Sequence, residues 1–333
     1  LAVQITADLR AHDLSLPGST LPPMGLQASA RGELTRGRVL IDRLDMDGRN
    51  FNVHAAGTYD IFENCLDLDT AASIGEPGQM AEQLGVSGVS GKPVNLQARI
   101  SGPAQRPEVN ADLHARNIGF QDVKIGDLAA SMAFSGGSLA LHSLELSNNE
   151  SVFALSGGIR VLDEQTGKPL SDPTLDLEIA DSTLFLQDFL PKRAGRVGIS
   201  GNITGSVGNP QGGIAVNGQN IETGVQPIPA ASLEARLDGR RIYIAPLAIS
   251  IAPEQSLRLD GWVSRDLDYS LQADSDPIAL AGLKILEDTG LEGRVTVSAR
   301  GDGNFRDPQM QARIRGEQIS SGGQALPDTE ITA

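Results

Sequence analysis

The chain has 333 residues, with 38 glycines, 18 prolines, 4% aromatic residues and one cysteine, so it can build one large core or a row of small modules, without an internal disulfide. The formal net charge of −15, with acidic residues spread along the chain, disfavours nucleic acid and anionic membrane surfaces as partners. No run of 18 apolar residues is present to predict a membrane-spanning helix, and no basic start leads into an apolar stretch as a signal peptide would.

In chain order, Leu44/Met46 and the turn signal Asp47-Gly48 precede a period-two strand. Val53, Ala55, Gly57, Tyr59 and Ile61 form one face of that strand, with His54, Ala56, Thr58 and Asp60 opposite. Pro77–Val86 follows as a candidate short helix, with Met80 and Leu84 at i, i+4. Between Gly91 and Pro107, Val94, Leu96, Ala98 and Ile100 share a face that ends at Gly102, while Asn95, Gln97, Arg99 and Ser101 lie opposite. Val109–Ala115 and Leu139–Leu141 alternate in the same way around Ser135-Gly136-Gly137. Leu144/Leu146 then lead to Phe153, Leu155, Gly157, Ile159 and Val161, and Leu175, Leu177 and Ile179 alternate next. Ser182–Leu190 is a second helix candidate, capped by Asp181 or Ser182, with Leu186, Phe189 and Leu190 as its apolar stripe. The stretch 195–210 repeats the earlier pattern with Val197, Ile199, Gly201, Ile203, Gly205 and Pro210. Beyond Asp238-Gly239, Ile242–Ile244 and Leu247/Ile249 lead to Leu257, Leu259, Gly261 and Val263, followed by Leu267–Ala273. Pro277–Glu287 is the third helix candidate, with Asp276 as cap and Pro277 at the first helical position. Val295, Val297, Ala299, Gly303 and Pro308 then open the pattern once more.

These stretches recur. Gly57 and Gly157 are 100 residues apart, and Gly157 and Gly261 are 104; Val94 and Val197 are 103 apart, and Val197 and Val295 are 98. Such repetition outranks any local motif in reading a fold. It predicts the closing part of a repeat over 1–90, full repeats over 91–192 and 193–290, and the start of another over 291–333. The sequence opens at Leu1 and stops at Ala333 in mid-pattern, which reads as a piece of a longer protein with any anchor or export signal outside it. The predicted class is mostly β: antiparallel or meandering strands, apolar on one side, with short helices between repeats. A one-sided sheet must bury that side. It can close on a second sheet, wind into a solenoid, or curl into an open trough covered by something else. Glycines recurring within the apolar face (Gly57, Gly157 and Gly261; Gly102, Gly205 and Gly303) favour bulges and bends.

The pattern Leu291-x-Gly293, apolar alternation, Gly303, Pro308 and renewed alternation resembles the repeats of the TamB/AsmA-like proteins of Gram-negative bacteria. The stretches around Gly57, Gly157 and Gly261 resemble the second part of that repeat, so the resemblance covers essentially the whole chain. It implies an elongated, curled antiparallel sheet, a repeating β-groove or "β-taco". It also implies a protein anchored in the inner membrane that extends through the periplasm and moves phospholipid between inner and outer membrane. An outer-membrane Omp85-type barrel is implied as a partner through regions outside this chain.

On this reading the groove-lining, lipid-binding face is Val53, Ala55, Val94, Leu96, Ala98, Ile100, Phe153, Leu155, Ile159, Val161, Leu175, Leu177, Ile179, Val197, Ile199, Ile203, Leu257, Leu259, Val263, Val295 and Val297. The alternative is a scaffold or chaperone for outer-membrane protein assembly or secretion, working by strand pairing. A solenoid-type carbohydrate enzyme or adhesin ranks last, because the chain lacks a convincing acidic or basic cluster for a catalytic site and is poor in aromatics. No enzyme, metal or cofactor is expected. G-x-S-x-G, Walker A and H-E-x-x-H motifs are absent, and His12, His54, His114, His142 and Cys65 are not in metal-ligand spacing. Asp45-x-Asp47-Gly48 and Asp67-x-Asp69 lack the remaining ligands of a calcium loop. Trp262, on the polar face, marks a contact surface or covers a neighbouring element.

Overall fold

The structure, a computed structural model, describes residues 4–14, 24–83, 86–121 and 123–332. The chain is 74% strand and 6% helix, so turns rather than helices make nearly all the connections. It divides into two compact units, Leu1–Asn149 with Ala154–Pro173, and Glu150–Phe153 with Thr174–Ala333.

Unit one contains β1 (Gln4–Leu14), β2 (Met24–Glu33), β3 (Arg38–Asp47), β4 (Phe51–Asp60), β5 (Cys65–Ile74), α1 (Pro77–Gln83), β6 (Val89–Ser90), β7 (Val94–Pro103), β8 (Glu108–Phe120), β9 (Val123–Ser135) and β10 (Ser138–Asn148). Strands β11 (Ser151–Leu162) and β12 (Pro169–Phe185) are divided between the units. Unit two continues with β13 (Ala194–Ser206), β14 (Pro210–Glu222), β15 (Pro227–Asp238), β16 (Arg241–Ala252), β17 (Gln255–Ser264), β18 (Asp268–Ser275), β19 (Ile278–Ala279), β20 (Leu291–Asn304), β21 (Asp307–Ser321), β22 (Gln324–Ala325) and β23 (Thr329–Thr332). Pairing is antiparallel throughout both units and runs between strands near in sequence: β1 to β5 in order, then β5–β7, β7–β8, β8–β9 and β9–β10 in unit one. Unit two runs from β12 to β18 in order, then β18–β20, β20–β21 and β21–β23. Among the described residues, the last strand of neither unit returns to the first, so neither closes into a barrel.

The repeat is visible in the backbone. β3 and β16 each bulge just ahead of the apolar pair, between Ile41 and Leu44 and between Ile244 and Leu247, and β10 does so between Leu141 and Ser143. Asn117, Asn220 and Gln318, at matched places in β8, β14 and β21, all have left-handed φ near 50°. The Asn117 and Gln318 amides each donate to a carboxylate ten residues on, Asp127 at 2.7 Å and Asp328 at 3.3 Å. Gly57 has φ 151° and Gly261 φ 134°. A Cβ at Gly57 would lie 2.1 Å from the Asp67 carbonyl oxygen, and one at Gly261 2.0 Å from that of Ser270. Only glycine fits both the torsion and the close approach of the neighbouring strand.

The predicted turns at Asp47-Gly48, Gly136-Gly137, Asn209-Pro210 and Asp238-Gly239 connect strands where expected. The helix predictions need correction. Only Pro77–Gln83 is α-helical; Val86 lies beyond it, and Leu84 falls outside the described residues. Ser182–Leu190 is not a helix: β12 runs to Phe185, with Ser182 opposite Ile199 and Leu184 opposite Val197, and only Leu186–Asp188 forms a 3₁₀ turn. The predicted cap Asp181 falls instead in a register shift of β12, between Ile179 and Ser182. Pro277–Glu287 is likewise β19 followed by 3₁₀ segments Leu280–Gly282 and Lys284–Thr289. Asp276 caps no helix there. Its carboxylate accepts from Ser256 N (3.0 Å) and Oγ (2.6 Å), while its own amide donates to the Ser256 carbonyl (2.9 Å). Nine- to eleven-residue helices are marginal alone, and cross-strand partners outcompete them. Leu267, predicted within a strand, lies in the turn before β18 with φ 67°.

Candidate functional site

Directly opposed residues of an antiparallel pair share a face, so the registers test whether the predicted apolar residues form one surface. In unit one, Val53 is opposite Ala72 and Ala72 opposite Leu96; Ala55 is opposite Thr70 and Thr70 opposite Ala98; Leu68 is opposite Ile100, and Ile74 opposite Val94. The rows continue through Leu113, Ala111 and Val109 on β8 to Ala130, Met132 and Phe134 on β9, then to Leu144, Leu141 and Leu139 on β10. In unit two, Leu177 is opposite Ile203 and Ile179 opposite Gly201; Ile199 is opposite Val216 and Val197 opposite Gly218. The rows pass through Leu233, Leu247 and Leu259, and through Ala231, Ile249 and Leu257. Val263 is opposite Tyr269, Val297 opposite Ile314 and Val295 opposite Gly316. Leu175 stands opposite Gly205. Leu155, Ile159 and Val161, in unit one, occupy alternating positions of β11 and so point the same way from that strand, while Phe153 lies in the part of β11 that belongs to unit two.

These rows contain no charged side chain. The polar members are matched internally: Thr70 donates to the Ala98 carbonyl (2.9 Å), Ser182 Oγ donates to that of Ala180 (2.8 Å), and Ser275 Oγ accepts from the Val297 amide (2.8 Å). Charge is carried by the opposite face, where Arg99 binds Asp67 through two 3.0 Å bonds and Arg313 pairs with Glu330 at 3.2 Å.

The apolar face is for the most part half-buried. Of the 21 predicted lining residues only Ala55, 3% exposed, is buried; the others are all half-buried. The buried apolar residues among the described residues are few: Met24, Ala55, Ala115, Ala130, Tyr269, Ile278 and Leu280. Sequence reasoning selected only the stretches that recur most plainly. It read the alternation of Val109–Ala115 on β8 without placing it on the lining face, and it missed the members of the same rows on β5 and β9, although their period-two alternation was there to read. It also missed an apolar cleft of about 480 Å³ in unit two, beside Tyr269 and Phe305.

The polar face of unit one holds an open hollow of about 470 Å³ among His54, Asp69, Gln97, Arg99, Asp112 and His142. Its one arginine is already engaged by Asp67, and among the described residues no group of three or more His, Cys, Asp or Glu is arranged to hold a metal. At the end of β3 the Asp45 carboxylate accepts from His54 Nδ1 (2.7 Å), which must therefore carry the proton, and from Arg43. The His54 bond, aided by Arg43, holds Asp45 below the usual carboxylate range. Trp262 packs under the Arg241 guanidinium, 4.2 Å from the ring centroid, and stands opposite Tyr243. No helix among the described residues is long and apolar enough to cross a membrane.

Comparison of the chain with protein-family models, with curated proteins and with solved structures finds no match.

Proposed function

We propose that this chain is the hydrophobic-groove segment of a periplasmic protein, anchored in the inner membrane of a Gram-negative bacterium, that shields acyl chains and conducts phospholipid between the inner and outer membranes. The supporting observation is the apolar face itself: rows of half-buried aliphatic side chains, running strand after strand through each unit without a charge. Each methylene it takes out of water is worth about 0.8 kcal/mol. A wall of similar side chains makes successive positions similar in energy, so a lipid is shielded without being trapped. A strand segment of about seven residues is roughly 23 Å long, longer than the roughly 15 Å of one hydrocarbon leaflet, so an acyl chain can lie on the wall with its head group in water. Mass spectrometry of an organic extract of the purified protein tests this, and phospholipid is the expected finding.

A scaffold role, pairing edge strands with client strands or with an Omp85-type barrel, has its support in β21. Residues 307–311 are exposed, and among the described residues β20 is their one strand partner. That role predicts a lipid-free extract and crosslinks from this edge to outer-membrane proteins.

A further inference from the structure

The apolar wall has one place unlike the rest, in unit two. At matched positions the residue opposite the left-handed glycine near a strand end is Leu66 (opposite Gly102), Leu175 (opposite Gly205) and Tyr269 (opposite Gly303). Two residues before those glycines stand Ile100, Ile203 and Gly301, and two after them Ala104, Val207 and Phe305. The third copy has therefore exchanged leucine for tyrosine, isoleucine for glycine, and an aliphatic turn residue for phenylalanine. The exchanges fit together. The Tyr269 ring lies over Gly301, where an added Cβ would come within 3.0 Å of Cε2, and stacks on Phe305 with centroids 4.5 Å apart.

The result is the cleft of about 480 Å³, floored by Leu259, Leu271, Ala273 and Ala299 and rimmed by Phe305 and Met310. Its polar groups are engaged elsewhere: the Tyr269 hydroxyl donates to the Gln309 carbonyl (3.2 Å), and Arg300 pairs with Asp302 (3.2 Å). Tyr269 is 6% exposed, yet the rim is open, with Phe305 49% and Met310 70% exposed. Arg300 is the one charged residue lining the cleft, held through Nε by Asp302, and the other lining side chains are apolar apart from the Tyr269 hydroxyl, so the cleft selects an apolar occupant. Its volume equals roughly sixteen water-sized groups of about 30 Å³, the scale of one long alkyl chain rather than of a protein segment. Aromatic faces and a thioether are contact groups suited to such a chain.

We propose that the Tyr269–Phe305–Met310 cleft is a preferred station for a single acyl chain on an otherwise even wall. The proposal rests on the lipid reading above and names where along the wall a chain dwells.

The test is photocrosslinking of the whole protein with palmitate carrying a diazirine in its chain, with adducts mapped by peptide mass spectrometry. Adducts are expected to concentrate on 269–273 and 299–310. Phe305→Ser, at a half-exposed turn position, should lower adducts there roughly tenfold, as losing the burial of about two methylenes would, and leave those in unit one unchanged. Ala273→Leu, which fills the floor, should do the same. Adducts spread evenly over both units and insensitive to either change would overturn the station and leave the lipid reading standing. An absence of adducts together with a lipid-free extract would overturn both.

Discussion

At the scale of single residues, the repeat is held by backbone torsions that side chains would forbid. Gly57→Ala and Gly261→Ala are each expected to destabilise by about 1–3 kcal/mol from the torsion alone, and by more from the carbonyl contacts at 2.1 and 2.0 Å. Gly102→Ala shares the positive φ, but its Cβ would meet nothing nearer than the Glu108 amide nitrogen at 4.0 Å, so it should cost less. Urea denaturation of the three variants gives the order. Asp276 makes the pH dependence testable: Ser256 first, through its hydroxyl and amide, and Arg258 in addition hold its carboxyl below the ordinary 3.8. A carboxyl with a depressed folded-state pKa contributes stability that is present above its unfolded value and is lost as pH falls through the folded one. Unfolding midpoints should therefore drop below about pH 4, and Ser256→Ala should flatten that drop. An equally steep acid limb in Ser256→Ala would contradict the assignment.

Elements were legible where local pattern and long-range pairing agree. Val94–Ile100, Val197–Ile203 and Val295–Ala299 alternate with the period of a strand and are strands, and the Gly-Gly and Asn-Pro pairs turn the chain as their torsional preferences require. The helix predictions at 182–190 and 277–287 failed because caps and short apolar stripes are signals internal to the segment, whereas the winning partners lie outside it, on the next strand: Val197 and Ile199 for β12, and Val295 for β19. In unit two, Ser151 Oγ donates to Asp188 at 2.6 Å and accepts from the Phe185 amide at 2.8 Å, which fixes the end of β12 against the start of β11. The Ser151 side chain is 0% exposed, so water cannot replace the hydroxyl without local opening. Ser151→Ala is expected to cost about 1–3 kcal/mol, the penalty for stranding a buried polar group, with faster amide exchange at Phe185. Unchanged exchange there would remove the latch from the account of β12.

At the scale of the whole molecule, what was legible is the one-sidedness of the strands; what was not is how far the faces stay open. Period two places Leu155 and Val197 on the apolar side but cannot say whether another layer covers them, because cover depends on what packs over the sheet, which strand periodicity does not encode. Their half-buried state sets up the decisive substitution. A carboxylate introduced at Leu155 or Val197 can reach water, so Leu155→Asp and Val197→Asp should keep their β-sheet circular dichroism. On the proposed lipid role they should still lose phospholipid, because a charge beside an acyl chain removes the transfer gain of the methylenes next to it, about 0.8 kcal/mol each. Ala55→Asp is the contrast. At 3% exposed the site offers a carboxylate no water, and burying an unpaired charge is prohibitive, so this variant should lose structure rather than lipid alone. Wild-type lipid content in folded Leu155→Asp and Val197→Asp would mean that the apolar face is not where lipid sits. Loss of structure in all three would mean that the face is a core after all and would move the weight of argument to strand pairing at β21.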